Sequence, residues 1–176
     1  MFVITTGPGN IDLSIPANIA LSGAVGMKLM DGQDGLIALG VAGVLAVGVL
    51  IGCANYALIR VLRIPPIIAT LSASFLLQSM AIAYGRSVRI APPELFYQFS
   101  TGKVLGIPYL ALAVGVLTVV AGYVVSRSLY GRWTLAVGQN MRAAELAGVR
   151  VERVRWATYV LSAVFASVCG VVLAGF

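Results

Sequence analysis

The chain has 176 residues, 60% of them hydrophobic and 10% charged, with a mean hydropathy of +0.98. A soluble domain of this length carries about 25% charged residues, so these totals exclude an ordinary water-soluble fold and indicate a membrane protein. The net charge of +6 comes from 12 basic residues set between long apolar runs, a pattern of span-flanking residues and not of a solvated nucleic-acid face.

The first ten residues, MFVITTGPGN, carry no Lys or Arg and lack the positive start of a signal peptide. From Phe2 to Met27 the one charge is Asp12, among Gly7, Pro8, Gly9, Asn10, Pro16 and Asn18. A helix over 13–30 is expected there, capped by Asp12 or Ser14, with Pro16 in its first turn. The chain before it should be irregular, which is tolerated at membrane depth only under protein or beside a water-filled cavity.

Four uncharged runs follow: 25 residues from Gly35 to Ile59, 22 from Ile64 to Gly85, 23 from Val104 to Ser126 and 21 from Trp156 to Phe176. Each exceeds the ~20 residues that a helix needs to cross the hydrocarbon core. None shows barrel-like alternation. The predicted fold is therefore all-α and polytopic: one transmembrane domain over 1–176 with spans at 13–30, 35–59, 64–85, 104–126 and 156–176 and a loop over 127–155. In the second span, Gly48 and Gly52 form a small-xxx-small face behind Gly40 and Gly43. Such faces let helices approach closely, either within one subunit, the simpler role, or across a dimer.

The loops set the orientation. Arg127–Arg155 holds six arginines, and the Arg60–Arg63 turn on the same side holds two more. The other side receives Lys28, Arg86, Arg89 and Lys103, diluted by Asp31, Asp34 and Glu94. The positive-inside rule puts loop 127–155 in the cytoplasm and the 86–103 connection, with its APPELF stretch, outside.

Several chemistries are missing from the residues. There is no histidine, hence no His-based metal or acid–base site. Gly102-Lys103 is not part of a Walker loop, so no ATP is expected on this chain. Cys53 and Cys169 sit in apolar runs and read as small buried hydrophobes. No cofactor, metal or catalytic residue is expected. Asp12 has two readings: a helix cap near the interface, where its charge is cheap, or a member of a polar path with Asn18, Asn55 and Gln78. The neutral members of that set, like Ser72 and Ser74, can equally bond between helices.

The stretch GQNMRAAELAGVRVERVR, 138–155, interrupts the apolar pattern. Asn140 suits an N-cap, Met141–Ala147 a two-turn helix, and Gly148 its left-handed end. So short a helix is not stable alone in water. Met141, Ala144 and Ala147 with Gly148 would form one apolar face, with Arg142 and Glu145 paired beside it. The arginines by themselves would do no more than fix topology.

The segment GRWTLAVGQNMRAAELAGV, followed by WATYVLSA, resembles the cytoplasmic loop of inner-membrane permeases of bacterial ABC importers, in particular the ribose/xylose/galactoside branch. NIDLSIPANIALSG and RIPPIIATL resemble two further segments of that branch, in the same order. The resemblance extends over essentially the whole chain. It implies further membrane helices on both sides of this region, so that the chain reads as an internal piece. It also implies a coupling helix at 141–148, with Asn140, Arg142, Ala143, Ala144, Glu145 and Gly148 meeting an ABC ATPase subunit that carries ATP and Mg. The other implied partners are a second permease subunit, a periplasmic sugar-binding protein and the lipid bilayer, with no nucleic acid. The function so implied is import of a monosaccharide or similar small polar solute. A non-transporting membrane scaffold is the alternative. An ion-coupled carrier ranks last, because only Asp12 could serve as its intramembrane acid.

Overall fold

The computed structural model describes residues 11–86 and 92–175. The expectations for the irregular N-terminal approach and for Arg89 fall outside these residues. The described chain is all-α apart from one small hairpin. Helix α1 runs over Ile15–Met30, α2 over Ile37–Val61, α3 over Pro66–Gly85, α4 over Glu94–Thr101, α5 over Tyr109–Arg127, α6 over Leu129–Gln139, α7 over Met141–Leu146 and α8 over Val151–Ala174. Four of these, α2 with the 3-10 turn before it, α3, α5 and α8, are long and apolar enough to cross a membrane. α1 is apolar too, but at 16 residues it covers only about 24 Å, less than a full hydrocarbon core.

Local sequence explains the boundaries. Pro16 occupies the first turn of α1, and Pro66 opens α3, where a missing N–H leaves no bond unmade. α1 ends on Asp31 and Gly32, both with positive φ, and the chain reverses into α2. α5 starts later than the apolar run does. Lys103–Val104 and Ile107–Pro108 pair as strands β1 and β2 about Leu105 and Gly106, both at positive φ. That two-residue reversal uses the first residues of the expected fourth span. Two further boundaries differ from the sequence reading. α8 begins at Val151, not Trp156, so Glu152, Arg153 and Arg155 stand on a helix. The 127–155 segment contains α6 as well as α7, and Ser128 caps α6 by accepting from the Gly131 N–H at 3.1 Å.

α1 is the centre of the bundle, packed by α2, α3 and α8. α1 and α8 run parallel: Asn18 meets Ala163, and Gly26 meets Val171. α2 crosses α8 in the opposite sense, with Gly48 against Val164 and Gly52 against Val160. The end of α2, the start of α3, α6, α7 and the start of α8 therefore share one end of the molecule, the loop end. α5 stands to the side, packed chiefly on α4, β2 and α6, and buries none of its residues. Large apolar side chains such as Leu50 and Val119 point outward, as lipid-facing residues do. Cys53 is half-buried and Cys169 exposed. The expected burial of both fails because apolar surface here faces lipid as readily as protein.

Candidate functional site

The first cluster lies where α1 begins. Asp12 is buried, which removes the reading of a carboxylate at the solvated interface. It does not cap the α1 amides either. Its Oδ1 accepts from the Ser14 N–H at 2.9 Å and from the Ser14 hydroxyl at 2.6 Å. Ser14 occupies the N-cap position without a side-chain cap bond, its hydroxyl proton being committed to Asp12. The same Ser14 Oγ accepts from Asn55 Nδ2 of α2 at 2.7 Å. Alongside, Thr70 of α3 accepts the Leu13 N–H through its Oγ1 at 3.1 Å. The lead into α1 is thus tied to both α2 and α3.

Asn18, one turn further, joins α1 to α8. Its Nδ2 donates to the Ala163 carbonyl at 2.9 Å, and its Oδ1 accepts from the Ser22 and Ser167 hydroxyls at 2.8 and 2.9 Å. Asn18, Ser22, Asn55 and Ser167 are all buried. In a low-dielectric interior such side chains must find partners, and here the partners lie on neighbouring helices. Gln78 does not join them: it lies on the exposed side of α3. Periodicity placed it on a span without telling which face turns inward.

Some polar atoms in this region have no protein partner. Asp12 Oδ2, Asn55 Oδ1 and the Tyr159 hydroxyl are buried and make no hydrogen bond. They lie where α1, α2 and α8 converge, and Tyr159 also packs its ring on Tyr56 with centroids 6.2 Å apart. Two acceptors and one hydroxyl suit a polar ligand group or a water able to give and take hydrogen bonds. Sequence inspection missed Ser22, Thr70, Tyr159 and Ser167, because single hydroxyls on apolar spans carry no spacing signal.

The second cluster is α7. Asn140 caps it, its Oδ1 accepting from the Ala143 N–H at 3.0 Å. Gly148, at φ 85°, closes it. The Gly148 N–H returns to the Glu145 carbonyl and the Val149 N–H to the Ala144 carbonyl, at 2.9 and 3.0 Å. This is a Schellman end, which requires the left-handed residue that glycine provides. Six residues held at both ends still need an external support. It comes from behind: Ala144 is buried with Val137, Val151 and Val154. Ala144 therefore faces the molecule's own helices, not outward with Ala143 and Gly148 as expected. Among the described residues Arg142 and Glu145 form no ion pair. Leu146, overlooked in the sequence, is 84% exposed, an apolar side chain projecting from a polar loop.

Glu152, the second residue of α8, joins the start of that helix to α2. Its Oε2 meets Arg60 Nε at 2.6 Å and accepts the Tyr56 hydroxyl at 2.5 Å. The Tyr56 hydroxyl also lies 3.0 Å from the Glu152 carbonyl oxygen. Arg155 Nη1 lies 3.9 Å from Oε1. Both members of the Glu152–Arg60 pair are half exposed, so the pair adds at most about 1 kcal/mol. Its consequence is geometric: it pins the end of α2 to the start of α8 beside α7. Glu152→Ala is expected to speed amide exchange over 57–61 about fivefold, equivalent to about 1 kcal/mol, with the melting temperature nearly unchanged. Unaltered exchange there would show that the clamp holds nothing.

Comparison with known proteins agrees with this architecture. Residues 2–175 match the family described as the branched-chain amino acid transport system / permease component. The L-arabinose ABC transporter permease protein AraH of Azospirillum brasilense is 34% identical, over 99% of this chain and 51% of its own length. The ribose import permease protein RbsC of Escherichia coli K12 is 31% identical, over 98% of this chain and 54% of its own. The galactofuranose transporter permease protein YtfT of the same strain is 33% identical, over 98% and 50%. The chain thus spans about half the length of the curated relatives it matches. No solved structure matches it. With its spans, its central short helix and a match over nearly every residue, the chain belongs to the branched-chain amino acid transport system / permease component family, and its relatives include sugar permeases of ABC transporters.

Proposed function

We propose that this chain supplies the membrane path of an ATP-driven importer for a monosaccharide or similar small polar solute, and that α7 couples it to separate ATPase subunits. The observation that carries the coupling is α7 itself, capped at both ends, supported from behind by Ala144 and presenting Leu146 outward. Docking against an ATPase subunit would take this side chain out of water. The loop end then lies in the cytoplasm, where its arginines favour it. Asn140 and Gly148 preserve the shape of α7, while Arg142, Ala143, Glu145 and Leu146 form the contact. ATP and Mg belong to the partner, and this chain hydrolyses nothing. A second permease subunit and a periplasmic sugar-binding protein complete the assembly. Solute would pass beside α1, where Asp12, Asn55 and Tyr159 keep unmatched polar atoms.

The test is co-purification of the full-length subunit with its ATPase, followed by ligand-stimulated ATP hydrolysis in vesicles. Leu146→Asp is expected to weaken ATPase association at least tenfold, about 1.4 kcal/mol or more, with the melting temperature of the isolated subunit unchanged. Intact association and hydrolysis in that variant would sink the coupling role. A subunit that bound its ATPase but transported no sugar would instead support the scaffold alternative.

A further inference from the structure

A cavity of about 810 Å³ opens at the loop end between α6 and the start of α8. Tyr130 and Trp133 of α6 line one side, and Gly148, Arg150, Arg153 and Trp156 the other. Arg150 and Arg153 are exposed, and among the described residues neither is paired with a carboxylate. Glu152, the acid between them, is turned to Arg60 and Tyr56. Trp133 and Trp156 are both partly exposed, at 42% and 45%. They are the two tryptophans of the whole chain.

We propose that this cavity is a headgroup site for an anionic phospholipid. Two guanidinium forks match the oxygens of a phosphodiester, which an arginine can hold bidentately. Tryptophan favours the level of the headgroups, with its ring on apolar surface and its N–H toward water. Trp156 is the sixth residue of α8 and heads its apolar run, which is that level for a helix entering the bilayer. The volume lies within the range of small-ligand sites and admits a phosphoglycerol group with the start of its chains. An acidic surface of a protein partner would satisfy the arginines but would leave the aromatic pair at the bilayer edge without a role.

Because both tryptophans border the cavity, selectively excited tryptophan emission comes only from residues beside it. The full chain is reconstituted in phosphatidylcholine vesicles. Its quenching by brominated phosphatidylglycerol is then compared with that by brominated phosphatidylcholine at equal mole fraction. The anionic lipid is expected to bind about tenfold more strongly, as two basic residues at a membrane surface allow. In Arg150→Gln/Arg153→Gln that preference should fall below about twofold. Arg127→Gln/Arg132→Gln removes the same charge outside the cavity and should keep it. Equal quenching by the two lipids in the wild type would overturn the proposal. So would equal loss of preference in both double variants. Emission that ignores lipid charge and shifts only on adding the ATPase subunit would also overturn it, in favour of a protein contact.

Discussion

Gly52→Ala is expected to lower the melting temperature of the detergent-solubilised protein by about 6–12 °C, a loss of about 3 kcal/mol. A Cβ at Gly52 would sit 2.5 Å from the Val160 Cα and 2.9 Å from the Tyr159 carbonyl oxygen. These are backbone atoms of α8, with no side-chain rotation to relieve the clash. The helices must separate, and their close contact is what holds such a bundle, since lipid supplies no hydrophobic drive between helices. Gly48→Ala should be milder, because the nearest α8 backbone atom to its Cβ, the Val164 Cα, lies at 2.8 Å and not 2.5 Å. A thermal scan of both variants with bilayer-reconstituted controls measures this. A melting temperature within about 2 °C of wild type for Gly52→Ala would mean that α2 and α8 do not pack this way.

Asn18→Leu ranks next, with an expected loss of about 2–4 kcal/mol. Leucine nearly matches asparagine in shape but leaves the Ser22 and Ser167 hydroxyls and the Ala163 carbonyl without their Asn18 bonds. Ser167 retains the Ala163 carbonyl at 2.9 Å, so its own penalty is partial. In Asn18→Leu/Ser167→Ala the total loss should fall short of the sum of the single effects by at least about 0.5 kcal/mol, because the two side chains share one interaction. Strict additivity in chemical or thermal unfolding would show that Asn18 and Ser167 act independently.

The four long apolar helices, their order and the position of the loop helix were legible in the residues. Length and apolar content decide what crosses a bilayer, because backbone in hydrocarbon must bond within its own segment. Asn140 and Gly148 marked the ends of α7 because capping is a local matter of one side chain and one dihedral. Charge placement separated the two ends for a similarly simple reason, which the shared position of Arg60 and Glu152 fits. The family resemblance rested on those same local segments, and the match over residues 2–175 agrees with it.

Facing was not legible. A helix apolar on every side gives no phase, so nothing in the sequence separated exposed Gln78 from buried Asn18 and Asn55. Lipid and protein accept the same side chains, and only packing distinguishes them. The hairpin at 103–108 and helix α6 were hidden in residues that satisfy a span or a loop equally well. The Asp12–Ser14–Asn55 chain and the Glu152 clamp join residues 41 and 96 positions apart. Each needs two helices already placed before either side chain has a partner. Local chemistry therefore set which segments enter the membrane and where the loop helix starts and stops. Tertiary packing alone decided which polar atoms meet and which remain unmatched at the start of α1, because that depends on the rotation of each helix about its axis, to which a uniformly apolar sequence is blind.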